Sequence, residues 1–319
     1  MERIQWIDFL RGISMITILF FHTEVYYKEN HTPYYIYTTN AIILFYFISG
    51  YLLYNNSRFK LKKRIISIVR SLLIPYFIFT TLIALPKLLI RQLDINWTEI
   101  VVNILMGRAS WFIAALIVGK LLFSILLKIS RGNILLLSTV AIIFLITYYL
   151  IPFNQYNIWQ WQDALLAFVF LYSGYVYHQY KQKFQTINKP IYSLLLLTIL
   201  ILIKIYEYNN NLSTRNIAIT NVPLFLVDTI TWLVLITTLI NYIPRCKIIE
   251  WTGEHSIVYY FLAGGCPLIV SLFLDKVGLD YDDYLWRYML AFVLIYTLAT
   301  IFTWLIYQYI PIITGKSKL

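Results

Sequence analysis

The sequence predicts an all-α protein that crosses a lipid bilayer about ten times, and three observations lead to this fold class. Of the 319 residues, 60% are hydrophobic, and the mean hydropathy is +0.69. Only 13% are charged, which is about half of the roughly 25% that a water-soluble domain carries. The third observation is a regular series of long apolar segments. We therefore expect most of the surface to face lipid.

Ten apolar segments approach the length of about 17–25 residues that a helix needs to cross the hydrocarbon layer. They contain few charges and are rich in Ile, Leu, Phe and Tyr. The 28 Tyr and 9 Trp are numerous enough to form aromatic belts at both membrane surfaces. In chain order, the predicted spans are residues 11–27, 39–54, 71–90, 110–128, 133–151, 161–178, 190–206, 217–242, 251–274 and 287–313.

The distribution of Lys and Arg predicts that both termini lie in the cytoplasm. An even number of spans places both ends on one side, where the loops and ends hold seventeen basic residues against eight on the other side. Such an excess is typical of cytoplasmic loops. The net charge of +11 is spread over short segments and does not form one basic face, which excludes nucleic-acid binding. We expect a multi-pass protein of the cell membrane.

The remaining composition predicts a single membrane domain over residues 1–319, with no appended extracellular domain and no metal. Cys246 and Cys266 are too few for a disulfide framework, and neither has a Cys or His at ligand spacing. The first span is expected to be retained, because polar residues interrupt it and no small-x-small cleavage site follows.

The first span, WIDFLRGISMITILFFHTE, carries the polar residues that point most directly to function. Arg11 and His22 are 11 residues apart, which is within about 20° of three full helical turns and about 16 Å along the axis. Both side chains are therefore predicted on one face. An imidazole can accept a proton from a hydroxyl group near neutral pH. The alternative is that Arg11 anchors the helix at the headgroups and His22 bonds to a neighbouring helix.

A second basic feature, SRFKLKKRIISIVRSLLIPYF, leads into the third span. Lys63 and Arg70 share a helical face, whereas Arg64 and Arg70 do not. Cations at a cavity mouth suit a phosphate-bearing donor, although any cytoplasmic loop of a membrane protein is basic. Near the middle of other spans, Lys120 and Asp228 are predicted to neutralise one another.

Several short motifs follow one another in a characteristic order along the chain. They are Trp6–Leu10 with Arg11 and His22, then Phe47–Tyr51, Arg70–Tyr76, Ser110–Phe112 and Gly253–Tyr260. Together they resemble the integral-membrane acyltransferase-3 family over essentially the whole chain.

The resemblance implies transfer of an acyl group, typically acetyl, from cytoplasmic acyl-CoA to a hydroxyl of a cell-envelope polysaccharide or lipid-linked sugar. It implies a catalytic His22, and we expect Glu24 to assist it. The residues expected to hold the donor are Arg11, Lys63, Arg64 and Arg70. Those expected to bind the other substrate are Ser49, Tyr51, Trp111 and Asp163. A homodimer or a separate partner enzyme is compatible with this reading.

Two positions depart from the family pattern. Ser67 stands where the family often has an arginine three residues before Arg70, and Ala263 stands where many members have a histidine. Which basic residues contact the donor thus stays open at this point. An alternative function is a glycan transporter or exporter that uses His22, Lys120 and Asp228 as a polar pathway.

Overall fold

A computed structural model describes residues 4–25, 35–54, 59–91, 96–152, 154, 157–187, 191–210, 221–240, 242–279 and 284–315, and these residues contain helices but no strand. The α-helices are α1 Gln5–Val25, α2 Tyr35–Tyr51, α3 Leu61–Ile68, α4 Ile74–Arg91, α5 Trp97–Leu105, α6 Trp111–Ile129, α7 Ile134–Leu150, α8 Trp161–Gln179, α9 Lys181–Ile187, α10 Ile191–Asn209, α11 Val222–Leu239, α12 Lys247–Glu254, α13 Ser256–Lys276 and α14 Leu285–Tyr309. A π-helical segment, Val69–Leu73, joins α3 to α4, and 3-10 turns cover Ile158–Gln160 and Pro311–Thr314.

The predicted all-helical membrane fold is confirmed, and a helix lies at each predicted span. Within the described ranges, six helices are long and apolar enough to cross a membrane; these are Leu61–Ala84, Trp111–Ile129, Ile191–Asn209, Val222–Leu239, Ser256–Lys276 and Leu285–Tyr309. Helix α7 is a shorter apolar helix. The count of ten crossings and the cytoplasmic termini stay predictions. The short helices α5, α9 and α12 occupy predicted loops or span boundaries.

The chain divides into two compact units. Unit 1 comprises Met1–Phe45 and Gln182–Gln308, and unit 2 comprises Tyr46–Lys181 and Tyr309–Leu319. Unit 1 has a core of apolar side chains from α1, α2, α13 and α14. The core of unit 2 is built mainly from α6, α7 and α8. Each unit buries its own hydrophobic residues, as expected of helices that must associate inside lipid by close packing.

In unit 1, α1 and α12 cross closely enough that only glycine fits at two positions. A methyl group added at Gly12 would overlap the carbonyl oxygen of Ile249, and one added at Gly253 would overlap that of Asp8. Small residues allow helix backbones to approach in this way. Gly253, which belongs to the last of the sequence motifs, is therefore explained by helix packing.

In unit 2, α2 and α8 also cross closely at two glycines. A methyl group at Gly50 would overlap the carbonyl oxygen of Leu171, and one at Gly174 would overlap that of Phe47. Gly50 belongs to the motif Phe47–Tyr51. The close crossing brings the C-terminal ends of the two helices together, as the contacts between Tyr51 and His178 show.

The entry into the third predicted span contains the π-helical segment. Its last hydrogen bond runs from the amide of Ile74 to the carbonyl oxygen of Val69, one residue further back than in an α-helix. In the same segment, the carbonyl oxygen of Arg70 approaches Gly315, where φ is 75°. A side chain at Gly315 would overlap that oxygen. The turn after α14 therefore packs directly against the backbone of Arg70.

Candidate active site

The two residues singled out in the first span lie on one uninterrupted helix. Helix α1 runs from Gln5 to Val25, so helical periodicity places Arg11 and His22 on a common face about 16 Å apart along the axis. Both side chains are half-buried. The Arg11 guanidinium lies 4.0 Å from the carboxylate of Asp8. The helix thus carries a paired cation near its start and an imidazole near its end.

Glu24 occupies a different side of α1 from His22. Residues two apart on a helix are separated by about 200° and do not face each other. Glu24 is fully buried, and the Tyr37 hydroxyl donates a hydrogen bond of 3.5 Å to its Oε2. These contacts favour a role for Glu24 in holding α2 against the end of α1.

At the C-terminal end of α2, two basic side chains bind backbone carbonyl oxygens. The Arg64 guanidinium donates to Leu53 at 3.0 Å and to Leu52 at 3.4 Å. Nδ1 of His178 donates to the carbonyl oxygen of Tyr51 at 2.7 Å, and the two rings stack with centroids 3.9 Å apart. Tyr51 is the last residue of α2, and Leu52 and Leu53 form the turn that follows it. Carbonyl oxygens at the end of a helix lack partners within the helix. Arg64, which was expected to meet the donor, therefore caps α2.

The other predicted donor-binding residues of unit 2 are exposed. Lys63 lies on α3 and Arg70 lies on the π-helical segment, and both side chains face outward from the unit. The two positions are seven residues apart, so a regular helix would put them on one face. The helix between them is not regular, because the π-helical segment begins one residue before Arg70. Ser49 and Tyr51, predicted to bind substrate, are instead buried at the end of α2.

Trp111 and Asp163 lie at the opposite end of unit 2 from Ser49 and Tyr51. They occupy the first turns of α6 and α8. These helices run in the same direction, since Gly119 faces Ala164 and Ala167 while Phe123, one turn later, packs on Phe168 and Tyr175. Asp163 is about 22 Å from His178 along α8, at 1.5 Å per residue. The four predicted substrate residues therefore belong to two separate places.

The comparison with known families decides the classification. The sequence model of the acyltransferase-3 family, described as an acyltransferase domain, matches residues 4–308. The chain belongs to the acyltransferase-3 family. No curated protein and no solved structure matches it. The match covers helices of both units, and membership of the family makes this protein a membrane acyltransferase. The match gives no support to the alternative of a glycan transporter.

The predicted ion pair within the acyltransferase, Lys120 with Asp228, is wrong. Oδ2 of Asp228 lies 2.7 Å from Nζ of Lys204, which also lies 3.0 Å from Oε2 of Glu207. All three residues belong to α10 and α11 of unit 1, whereas Lys120 belongs to unit 2. Asp228 is thus neutralised by a cation on the neighbouring helix.

His255, in the last of the sequence motifs, lies between α12 and α13. Its side chain is buried, and Nδ1 donates to the carbonyl oxygen of Trp251 at 2.7 Å. The ring packs against Trp251 and Tyr307, with centroid distances of 4.3 and 4.2 Å. It therefore fills the space at the break between α12 and α13.

One feature of the acyltransferase escaped prediction because nothing in the sequence marks it. Trp159 and Gln160, in the turn before α8, have φ values of 51° and 52°. Two consecutive non-glycine residues in the left-handed region are uncommon and strained. The backbone amide of Trp159 donates to the carbonyl oxygen of Met106 at 2.7 Å, and its ring packs on Tyr76.

Proposed function

We propose that this acyltransferase moves an acyl group, most simply acetyl, from cytoplasmic acyl-CoA to a hydroxyl of a cell-envelope polysaccharide or lipid-linked sugar. The observation that carries the proposal is the family match combined with a continuous α1 that bears Arg11 and His22 on one face. The imidazole is the side chain that can act as a general base near neutral pH.

In the proposed reaction, His22 accepts the proton of the acceptor hydroxyl while the hydroxyl oxygen attacks the thioester carbonyl. The carbon–sulfur bond breaks, and the leaving thiolate of CoA receives a proton from the imidazolium. No net proton is released. The products are an ester of the acceptor and free CoA.

The donor is proposed to bind through its phosphates to exposed cations. Lys63 and Arg70 are exposed in unit 2, and charge-assisted hydrogen bonds to phosphate are among the strongest that proteins make. Arg64 is assigned a smaller part, because its guanidinium is already used to cap α2. With both termini in the cytoplasm, as the basic loops predict, α3 begins on the side where acyl-CoA is present.

The acceptor is proposed to approach the end of unit 2 that holds Trp111 and Asp163, which the same topology places outside the cell. Donor and acceptor contacts would then lie at opposite ends of the helices of unit 2. The enzyme would act in the plasma membrane, and only the acyl group would need to pass between the two sides.

The decisive test is the His22→Ala variant, which we expect to lower acyl transfer by about 10²–10⁴-fold, the usual contribution of a general base. Purified protein in lipid nanodiscs is supplied with radiolabelled acetyl-CoA and an envelope glycan preparation, and label in the glycan is measured. A matched control is Thr17→Ala, because the Thr17 hydroxyl only donates to the carbonyl oxygen of Ile13 in the same helix. Full transfer by a folded His22→Ala protein would refute the role of His22.

A further inference from the structure

The last turns of α1, which carry His22, are held on one side by aromatic residues of α2 and α14. The hydroxyl of Tyr288, in the first turn of α14, donates a hydrogen bond of 2.9 Å to the carbonyl oxygen of Phe20. Tyr288 is fully buried, so water does not readily replace this bond when it is lost. The bond therefore fixes the start of α14 to the end of α1.

The Phe20 ring adds contacts on the same side of α1. It forms edge-to-face pairs with Tyr288 and Phe292 of α14, with ring centroids 4.8 and 5.3 Å apart, and with Tyr37 of α2 at 6.1 Å. Such pairs are favourable at these distances. One turn further along, the Tyr37 hydroxyl donates to Oε2 of Glu24 at 3.5 Å. These five residues are called the α1 clamp below.

His22 lies on the opposite side of α1 from the α1 clamp. It comes two residues after Phe20 and two residues before Glu24, and each of these steps is about 200° around the helix. Phe20 and Glu24 are four residues apart and so share the face opposite His22. The α1 clamp therefore grips the back of the turn and contacts the helix without contacting the face of the imidazole.

The rotation of this turn decides where the imidazole points. A side-chain tip lies about 5–6 Å from the axis of an α-helix, so a rotation of about 10° moves it by about 1 Å. A displacement of this size can lower a reaction rate by about 10²-fold, and a catalytic side chain has to be held within about 0.5 Å and 10–20°. A base near the end of a helix thus needs contacts that fix its rotation.

We propose that Tyr288 is a positioning residue for acyl transfer, whose hydroxyl, with the rest of the α1 clamp, fixes the rotation of α1 and so directs His22 at the acceptor hydroxyl. This inference rests on the proposed function, in which His22 is the general base. Tyr288 acts only through α1, because its hydroxyl binds the back of that helix. Its loss should lower kcat and leave KM unchanged, since no substrate contact is removed.

The test is Tyr288→Phe, which removes the hydroxyl and keeps the ring. In nanodiscs with radiolabelled acetyl-CoA and the envelope glycan preparation, we expect kcat to fall by about tenfold. The KM values of acetyl-CoA and of the glycan should stay within about twofold of the parent. Tyr172→Phe is the matched control, because Tyr172 shares a hydroxyl hydrogen bond of 2.6 Å with Ser138 between α7 and α8. It should keep the parent kcat.

Two further measurements support the test. Hydrogen–deuterium exchange reports how often the end of α1 opens, and we expect the amides of residues 19–25 to exchange about tenfold faster in Tyr288→Phe than in Tyr172→Phe. Unchanged exchange would overturn the α1 clamp whether or not the enzyme is active in the assay. Tyr37→Phe, which loses the longer hydrogen bond to Glu24, is a milder variant and should lower kcat by about twofold.

The outcomes keep this inference separate from the proposed function. An unchanged kcat in the folded Tyr288→Phe protein, or a KM that rises as much as kcat falls, would reject the positioning role even if His22→Ala is inactive. Full transfer by His22→Ala would reject His22 as the base, and the assignment of Tyr288 to His22 would fall with it. Loss of transfer in His22→Ala, with a lowered kcat and faster exchange in Tyr288→Phe, would support both.

Discussion

Two aspartates are almost completely buried in apolar helices of this protein, and their surroundings differ. Asp228, in α11 of unit 1, is 2% exposed and its Oδ2 lies 2.7 Å from the Lys204 ammonium. Asp163, in α8 of unit 2, is 1% exposed and makes no hydrogen bond or ion pair with any residue that the structure describes. Both residues have an Oδ1 without a hydrogen-bond partner, so the cation is the main difference.

The contrast teaches that burial of a carboxylate does not by itself mark a functional site. A buried charge that is paired within the membrane contributes to helix association. A buried carboxylate without a cation reduces stability, because no ion pair offsets the cost of removing it from water. The backbone agrees with this division, because Asp228 lies in the interior of a regular helix whereas Asp163 follows two left-handed residues.

The largest effect is expected from removing the cation of the paired site. Lys204→Met leaves the carboxylates of Asp228 and Glu207 buried together without an ammonium, and breaking a buried pair in this way costs about 3–5 kcal/mol. The free energy of unfolding is measured by SDS titration in mixed micelles, with tryptophan fluorescence as the readout. Combining Lys204→Met with Asp228→Leu should recover much of the loss. A single variant as stable as the parent would show that the pair is not structural.

The opposite sign is expected at the unpaired site. Asp163→Leu replaces a buried, unsatisfied carboxylate by an apolar side chain of similar size, and relieving such a group is expected to raise the free energy of unfolding by about 1–3 kcal/mol. The same SDS titration applies, with Asp228→Leu as the control that should lower stability because it leaves Lys204 with a single partner. If Asp163→Leu were destabilised as strongly as Asp228→Leu, the distinction between the two aspartates would disappear.

The features of this protein that depend on local properties of the chain could be predicted from the sequence. The positions of the helices follow from hydropathy, and the shared face of Arg11 and His22 follows from helical periodicity once α1 is continuous. The partner of Asp228 did not follow, because which helix lies beside α11 is a matter of packing and not of sequence spacing. Lys120 and Lys204 are both cations within apolar spans. Lys204 is the partner of Asp228 because its helix, α10, packs beside α11.

Neither the capping of α2 by Arg64 nor the strained turn at Trp159 and Gln160 could be predicted from the sequence, and the reasons differ. Arg64 belongs to a basic run that topology alone explains, so its contacts with Leu52 and Leu53 have no distinguishing pattern in the sequence. Left-handed conformations are normally marked by glycine, and Trp159 and Gln160 lack this mark. The position of Asp163 at the start of α8 was predictable, whereas the missing cation and the adjacent strain required the structure.

The smallest effect is expected from relieving the strain beside Asp163. Gln160→Gly removes the steric cost of a left-handed conformation, which is about 1 kcal/mol, and part of this gain is offset by the greater freedom of glycine in the unfolded chain. Arg131→Gly is the matched control, because Arg131 is exposed and has φ of 52° in the turn between α6 and α7. Both variants should be about equally stable in the SDS titration. A Gln160→Gly protein that is less stable than Arg131→Gly by more than about 1 kcal/mol would mean that contacts of the Gln160 side chain outweigh the strain.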